Sequence, residues 1–251
     1  MDNRKSVRGR VLGRALCLGA ATLALGLLAG GQPAAVAASD DAAVQTLAVQ
    51  RVSGLLLNGA TSVCLFANDI KQAPGASLYH RHQPGAVYVA GGQVQLTIWQ
   101  DGLAAGDPGA TSETSLLGPG AGAIIPTHWW HQHTNPSGAS PDEWYFLSQL
   151  PSDESACTNP PSSFIFHSAA IPVADGPALL KLFTTTFAPG DSTAQAGPEL
   201  AESVVLSGSL VVDGVAYSRG QAFARTPGSV QHMTSTAGAR LLTYSVRPQR
   251  G

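Results

Sequence analysis

Short hydrophobic runs alternate with polar turns along the whole chain. In the stretch VQLTIWQDG (94–102), apolar residues stand at Val94, Leu96 and Ile98 with polar residues between them, the period-two pattern of a half-buried strand. Other strand-like runs lie at 52–68, 142–150, 177–187, 203–218 and 239–246. No segment of a dozen residues has a convincing helical period, so the pattern predicts an all-β protein.

The two halves of the chain resemble each other, which indicates a duplicated unit. The matching landmarks, in the same order in both halves, are APGAS (73–77) with APGDS (188–192), VYVAGGQV (87–94) with VVLSGSLV (204–211), and Pro126–His131 with Pro227–His232. We therefore predict a first β-barrel over residues 45–150, a Pro- and Ser-rich linker over 151–165, and a second barrel over 166–251.

The N-terminal segment has the order of a secretory signal peptide: basic, then apolar, then small residues. The basic part is MDNRKSVRGRVLGR, the apolar part is ALCLGAATLALGLLAG, and AVA at 35–37 is a small-x-small cleavage pattern. We expect residues 1–37 to be removed and the protein to be secreted without a stable membrane anchor. An uncleaved anchor helix is the alternative, although the apolar run is short for a membrane span.

Composition narrows the classes of function. Charged residues make up only 12%, and 28 glycines and 17 prolines suit a protein rich in strands and turns. The chain without residues 1–37 is acidic and carries no basic stripe, which argues against a nucleic-acid partner. Cys64 and Cys157 remain after export, either as a disulfide in an oxidising compartment or as two buried free thiols.

Histidines are concentrated in two short stretches. LYHRHQP contains His80 and His82, and IIPTHWWHQHTNP (124–136) contains three more of the 7 histidines in the chain. Side chains two residues apart on a strand point to the same face, so a His-x-His pair can offer two imidazoles to one ion. Neutral imidazole is a ligand for zinc, copper, iron and nickel. The pattern therefore predicts a metal site.

These stretches resemble the two motifs of the cupin superfamily, G-x5-H-x-H-x3,4-E-x6-G and G-x5-P-x-G-x2-H-x3-N. The similar segments are GASLYHRHQPGAVYVAGG and GAGAIIPTHWWHQHTN, and the matching residues are Gly75, His80, His82, Gly92, Gly120, Pro126, His131 and Asn135. His128 stands where the second motif has a glycine. The resemblance covers residues 75–135 and implies two tandem cupin-type jelly-roll barrels.

The resemblance implies one divalent transition metal per chain, which would be iron, copper, nickel, manganese or zinc. Its expected ligands are His80, His82 and His131. The usual fourth ligand, a glutamate, falls on Gly85 or Ala86, and no acidic residue occurs between Gln83 and Gln100. A site of three histidines is similar to those of thiol and β-diketone dioxygenases.

Two further residues are candidates for catalysis. His133 lies two positions after His131, so it points inward if His131 does, as a proton carrier or hydrogen-bonding group; a surface or structural role is the alternative. Tyr88 is an even number of positions from His80 and His82 and shares their face if no bulge intervenes. A place in the core or at the rim of the barrel is the alternative for Tyr88.

The second half is expected to lack the metal site. Aligning the two PG-x-S turns places Gln195 and Gly197 at the positions of His80 and His82, while His232 keeps the position of His131. We expect this half to be structural, covering an edge of the first barrel or forming the contact of a homodimer.

The function implied by the resemblance is that of a secreted, metal-dependent oxidoreductase. Its substrate would be a small anionic, phenolic or enolic molecule, as in β-diketone dioxygenases and quercetinases, although quercetinases use the carboxylate that is missing here. The alternatives are a non-catalytic module that binds a small ligand or sugar, and a structural bicupin with a vestigial site.

Overall fold

The computed structural model describes residues 42–52, 59–174 and 176–249, and it is built almost entirely of antiparallel strands. The predicted signal peptide lies outside the described residues, as do residues 53–58 of the first strand-like run. The described part contains eighteen strands, one helical turn α1 (Ser155–Thr158) and a 3-10 turn (Gln100–Gly102). The all-β prediction is confirmed. No helix in these ranges is long and apolar enough to cross a membrane.

Nine strands precede α1. They are β1 (Ala43–Val52), β2 (Ser62–Gln72), β3 (Ser77–His80), β4 (Gly85–Gly91), β5 (Val94–Trp99), β6 (Ser112–Leu117), β7 (Gly122–Ile125), β8 (His131–Thr134) and β9 (Asp142–Pro151).

Nine strands follow α1. They are β10 (Phe164–His167), β11 (Ile171–Pro172), β12 (Ala178–Phe187), β13 (Ser192–Ala196), β14 (Leu200–Val212), β15 (Val215–Ser218), β16 (Ala222–Arg225), β17 (Val230–Thr234) and β18 (Ala239–Pro248).

The strands form three sheets. A six-stranded sheet has the order β10-β2-β9-β4-β7, with β11 beside β2, and a four-stranded sheet has the order β3-β8-β5-β6. These two sheets make the first barrel. The second barrel is an eight-stranded sheet with the order β1-β12-β18-β14-β17-β13, in which β15 and β16 also pair with β14.

Each large sheet buries apolar side chains on both faces, and the period-two alternation of side chains explains why. Leu65 and Leu147 of the six-stranded sheet are fully buried against Leu180 and Leu242 of the eight-stranded sheet. The alternate side chains point the other way, into a separate core inside each barrel. The barrels are therefore joined back to back through one apolar layer.

Strands also cross between the halves. The N-terminal strand β1 pairs along its length with β12, and β10 and β11 pair with β2. The described residues belong to one compact unit. The predicted linker contains α1 and the first two residues of β10, and the predicted boundaries at 150 and 166 stay a prediction.

Cys64 and Cys157 form a disulfide, which decides between the two alternatives left by the sequence. The bond joins β2 to the short helix α1 and closes a loop with a sequence separation of 93 residues. Closing a loop of that length restricts the unfolded chain and is worth about 4–5 kcal/mol of stability in the chain-entropy model.

Candidate metal centre

Four histidines converge inside the first barrel. His80 ends β3, His82 lies in the turn before β4, and His131 and His133 both lie on β8. His80 and His131 are directly opposite each other in the antiparallel pair of β3 and β8. One ligand atom from each of the four histidines can be chosen so that all four atoms lie within 4.8 Å of one another.

The geometry of the closest pair fits binding to one ion. The Nε2 atoms of His80 and His131 are 3.2 Å apart. With a metal–imidazole distance of about 2.1 Å, two nitrogens at that separation subtend an angle of about 100° at a shared ion, between the octahedral and tetrahedral values. The cluster therefore suits a transition metal without rearrangement of the backbone.

Backbone carbonyls set the orientation of two of these rings. Nδ1 of His131 lies 2.9 Å from the carbonyl oxygen of Trp129, and Nδ1 of His82 contacts the carbonyl oxygen of Gln83. A nitrogen that faces a carbonyl must carry the proton, so the Nε2 lone pair of each ring is left free for a metal.

Burial keeps the cluster neutral. Burial is the main cause of the lowered pKa of all four histidines. It lowers the pKa of His82 to about 3 and that of His131 to about 4. The pKa of His80 is also lowered, and that of His133 lies well below its usual value. Neutral imidazole is the form that binds metals. The environment thus favours ligation over protonation at neutral pH.

His133 belongs to the cluster and not to the surface. It is 1% exposed, its ring is stacked on Trp144 with centroids 4.6 Å apart, and its Nδ1 has no hydrogen-bond partner among the described residues. The inward orientation expected from its two-residue spacing to His131 is confirmed. Its catalytic role stays a prediction.

Tyr88 is not brought to the cluster. Val87 and Val89 of β4 face the core of the first barrel, and Tyr88 between them faces the apolar layer between the two large sheets. The chain turns between the end of β3 and the start of β4, so the even spacing from His80 and His82 does not carry across. The geometry gives no support to the predicted catalytic role of Tyr88.

An aromatic ring fills the place of the missing glutamate. A side chain added at Gly85 would meet the ring of Phe146 at 2.5 Å, and the rings of Phe146 and His82 have centroids 4.6 Å apart. The loss of the acid is therefore combined with an apolar wall beside the histidines. The sequence predicted the loss but offered no signal for the ring that replaces it.

The cluster opens onto an apolar cavity of about 290 Å³. Three histidines, His80, His82 and His133, form one side. Most of the other side consists of aromatic and aliphatic side chains, namely Phe66, Ile70, Leu78, Trp144, Phe146, Leu150 and Phe164. No acidic side chain lines this cavity among the described residues. Phe164 comes from β10, so the segment predicted as a linker contributes to the first cavity.

Two motif residues shape the surrounding backbone. Asn135 is fully buried, and its side-chain amide donates to the carbonyl oxygens of Gln72 and Ser140, both at 3.0 Å. His128, which replaces the motif glycine, has φ 57° and is exposed. Glycine adopts this left-handed conformation without steric cost, which explains why the motif has a glycine at the position of His128.

The described residues of the second barrel form no comparable cluster. Gln195 is the counterpart of His80, as expected. Ser192 pairs with Thr234 as Ser77 pairs with Thr134, and three residues further along each strand Gln195 and His80 occupy the same position. Among the described residues no set of potential metal ligands lies there. The other such set in the described residues, Cys64, Cys157 and His167, includes the two disulfide cysteines.

The expectation for His232 is wrong. His232 is exposed, and Gln231 occupies the buried position that corresponds to His131. The connection from Pro227 to Thr234 is one residue shorter than that from Pro126 to Thr134. Equal spacing from the proline therefore places His232 on the outer face of β17.

Comparison with known proteins supports the fold. No model of a protein family matches the sequence, and no curated protein matches it. A mutant of oxalate decarboxylase from Bacillus subtilis is 12% identical with a TM-score of 0.54, over 86% of this chain and 81% of the other. Oxalate decarboxylase from Lactobacillus farciminis, a formate complex, is 10% identical with a TM-score of 0.53, over 83% and 87%.

A further structure of the Bacillus subtilis enzyme, described for its Mn(II) centres, is 12% identical with a TM-score of 0.53 over 85% of this chain and 81% of the other. At such identities the likeness shows the fold alone. The protein has the jelly-roll fold of the two-barrel cupins, and its histidine cluster lies where the cupin motifs predict a metal site.

Proposed function

We propose that the first barrel binds one divalent transition-metal ion through His80, His82 and His131 and acts as a dioxygenase-like oxidoreductase on a small anionic, phenolic or enolic substrate. The observation that carries this proposal is the buried group of four neutral imidazoles beside an apolar cavity of about 290 Å³. A metal ion bound there would supply Lewis-acid and redox chemistry.

The cavity walls favour a flat, largely apolar substrate. Phe66 and Phe164 are stacked with centroids 4.5 Å apart, and Phe146 is tilted against Phe66 at 5.8 Å. These rings can cover the carbon skeleton of a phenolate or enolate and exclude water from the histidine side. The polar oxygens of the substrate would then face the imidazoles.

His133 is placed to hold the substrate in position. Its ring orientation is fixed by stacking on Trp144, and its buried Nδ1 has no hydrogen-bond partner in the part of the chain that the structure describes. An unpaired buried nitrogen costs free energy unless a ligand completes it. We assign His133 the role of accepting a hydrogen bond from the substrate hydroxyl.

The structural neighbours support metal chemistry but not the decarboxylation of oxalate. The Bacillus subtilis enzyme contains Mn(II) centres, which agrees with a metal site in this fold. The cavity here has aromatic walls, and none of the described residues that line it is acidic and able to exchange protons with a small dicarboxylic acid. An enolate or phenolate fits that lining better.

Oxygen uptake tests the proposed reaction. The purified protein would be loaded separately with iron, copper, nickel, manganese and zinc and mixed with 2,4-pentanedione as an enolic probe. We expect oxygen consumption with a redox-active metal and none with zinc. The variant His80→Ala should lose this oxygen consumption, and the control His232→Ala should retain it. Binding of the probe without oxygen consumption for any metal would instead identify a binding module.

We further propose that residues 1–37 direct export and are then removed. The disulfide between Cys64 and Cys157 supports this, because such bonds persist in oxidising compartments. N-terminal sequencing of protein recovered from the culture medium should begin at Ala38. Protein retained in the cells with Met1 would contradict the proposal.

A further inference from the structure

The second barrel contains a cavity of about 330 Å³ that the proposed reaction does not use. It lies in the same part of the fold as the histidine cavity, because Gln195 in its wall is the counterpart of His80. Two of its other lining residues, Lys181 and Arg225, are cations. Their counterparts in the first barrel are Phe66 and Ile125, as the strand registers show.

Arg225 is a buried cation that the protein leaves incompletely paired. It is 6% exposed, and its Nε has no hydrogen-bond partner among the described residues. Nη1 donates to the carbonyl oxygen of Gly197 at 3.3 Å, and Nη2 lies 3.9 Å from Oε2 of Glu199, beyond hydrogen-bond distance. A buried guanidinium in this state lacks an acceptor that a ligand can provide.

Lys181 adds a second positive charge to the same cavity. Its ammonium group lies 4.9 Å from the ring centroid of Phe183, and the residue is directly opposite Ser245 in the sheet. With Glu199 as the acidic group in the lining, the cavity has a net positive charge of one. Two cations in the lining of one cavity disfavour a metal ion there and favour an anion.

We propose that the second barrel is a binding site for a small organic carboxylate. The carboxylate would receive hydrogen bonds from the guanidinium of Arg225 and lie near the ammonium of Lys181. Its apolar body would lie against Phe183 and Ala201 in the same cavity. Arginine suits this role because its planar fork matches a carboxylate. In this proposal the second barrel binds an organic anion in its own cavity, and its cavity is not the remnant of a metal site.

Calorimetric titration with isobutyrate tests the proposal, with isobutyramide as the uncharged probe of the same shape. The full chain should bind one isobutyrate saturably and should not bind isobutyramide. Lys181→Gln and Arg225→Gln should each weaken binding at least about tenfold, as expected for the loss of a charge-assisted contact. Arg247→Gln, an exposed arginine outside this cavity, is the matched control and should bind as the unaltered chain does.

The variant Glu199→Gln gives the sharpest result, because Glu199 competes with the ligand for Arg225. It should bind isobutyrate more tightly than the unaltered chain. Equal binding of isobutyramide, unchanged binding by Lys181→Gln, or no tightening in Glu199→Gln would overturn the proposal, and so would tighter binding of inorganic phosphate than of isobutyrate. The variant carrying both His80→Ala and His131→Ala should still bind isobutyrate, which separates this site from the proposed metal centre.

Discussion

The two barrels share their turns but not their interiors. Four positions with positive φ recur at corresponding places, namely Gly75 and Gly190, Gly92 and Gly208, Gly120 and Gly220, and His128 and Gly228. The interiors differ at the positions of the histidine cluster. Where the first barrel has His80, His131 and His133, the second has Gln195, Gln231 and Met233.

This difference separates what maintains the fold from what determines the chemistry. Turn residues need a particular backbone conformation, and replacing a glycine there by a residue with a side chain lowers stability in either barrel. Cavity residues need only to fill space and satisfy polar groups, so they can change from imidazoles beside aromatic rings to a guanidinium beside an ammonium. Exchanging single residues for their counterparts tests this division directly.

The largest effect is expected for His131→Gln, which copies Gln231 into the first barrel. It removes the buried ligand that lies 3.2 Å from His80, so we expect the chain to lose nearly all of its metal. Elemental analysis after purification without chelator measures this. The reverse change, Gln231→His, should add no metal, because Gln195 and Met233 beside it supply no imidazole.

The second-largest effect is expected for Ile125→Arg, which gives the first barrel the residue that stands at the corresponding position of the second, Arg225. Ile125 is fully buried in the apolar core of the first barrel. Its neighbours in that core are apolar, and none of the described residues packed there is acidic, so a charge at this position should lower the free energy of unfolding by at least about 3 kcal/mol. Urea denaturation measures the change. A loss below about 1 kcal/mol would mean that the two interiors are interchangeable.

Glu202 should make stability depend on pH. It is fully buried between the barrels, where its counterpart is Ala86, and burial raises its pKa well above the usual value. Below the unfolded-state pKa both states are protonated. As the pH rises above it, the unfolded chain ionises first, so the native state loses stability, by at most about 1.4 kcal/mol per pH unit.

The variant Glu202→Gln should remove this contribution. The difference in unfolding free energy between variant and unaltered chain should therefore grow in favour of the variant as the pH rises from about 4.5, the usual range for glutamate. Denaturation curves of both proteins at a series of pH values measure it. A difference that is constant with pH would show that Glu202 ionises normally in the folded protein.

The smallest effect is expected for His128→Gly, which copies Gly228. Both residues have positive φ, at 57° and 77°. Glycine relieves the strain of the left-handed backbone, but it also gives the unfolded chain more freedom. Because the first effect is the larger, stability should rise by up to about 1 kcal/mol, and the metal content should not change. Thermal unfolding measures the shift. A decrease in stability would show that the His128 side chain makes a compensating contact.

The sequence predicted those features that depend on local pattern. Alternation indicated the strands, the two motifs located His80, His82 and His131, and the two-residue spacing placed His133 on the inner face. Parity failed for Tyr88, because the turn between β3 and β4 puts it on the opposite face from the histidines. Spacing from the proline failed for His232, because the connection from Pro227 to Thr234 is one residue shorter and His232 lies on the outer face.

Other features depend on contacts between distant strands, which no local pattern records. Phe146 fills the space of the missing glutamate from β9, and Phe164 reaches the first cavity from β10. Lys181 and Arg225 are separated by β13, β14 and β15 along the chain and line one cavity only when the second barrel closes. The spacing of these two residues along the sequence does not predict that they line the same cavity.

Anomalous X-ray diffraction from crystals of the metal-loaded chain tests the central claim most directly, because it locates every bound transition metal. The account predicts a single peak per chain, within bonding distance of nitrogens of His80, His82 and His131, and no peak in the second barrel. A peak beside Lys181 and Arg225, or none at the histidine cluster, would contradict it.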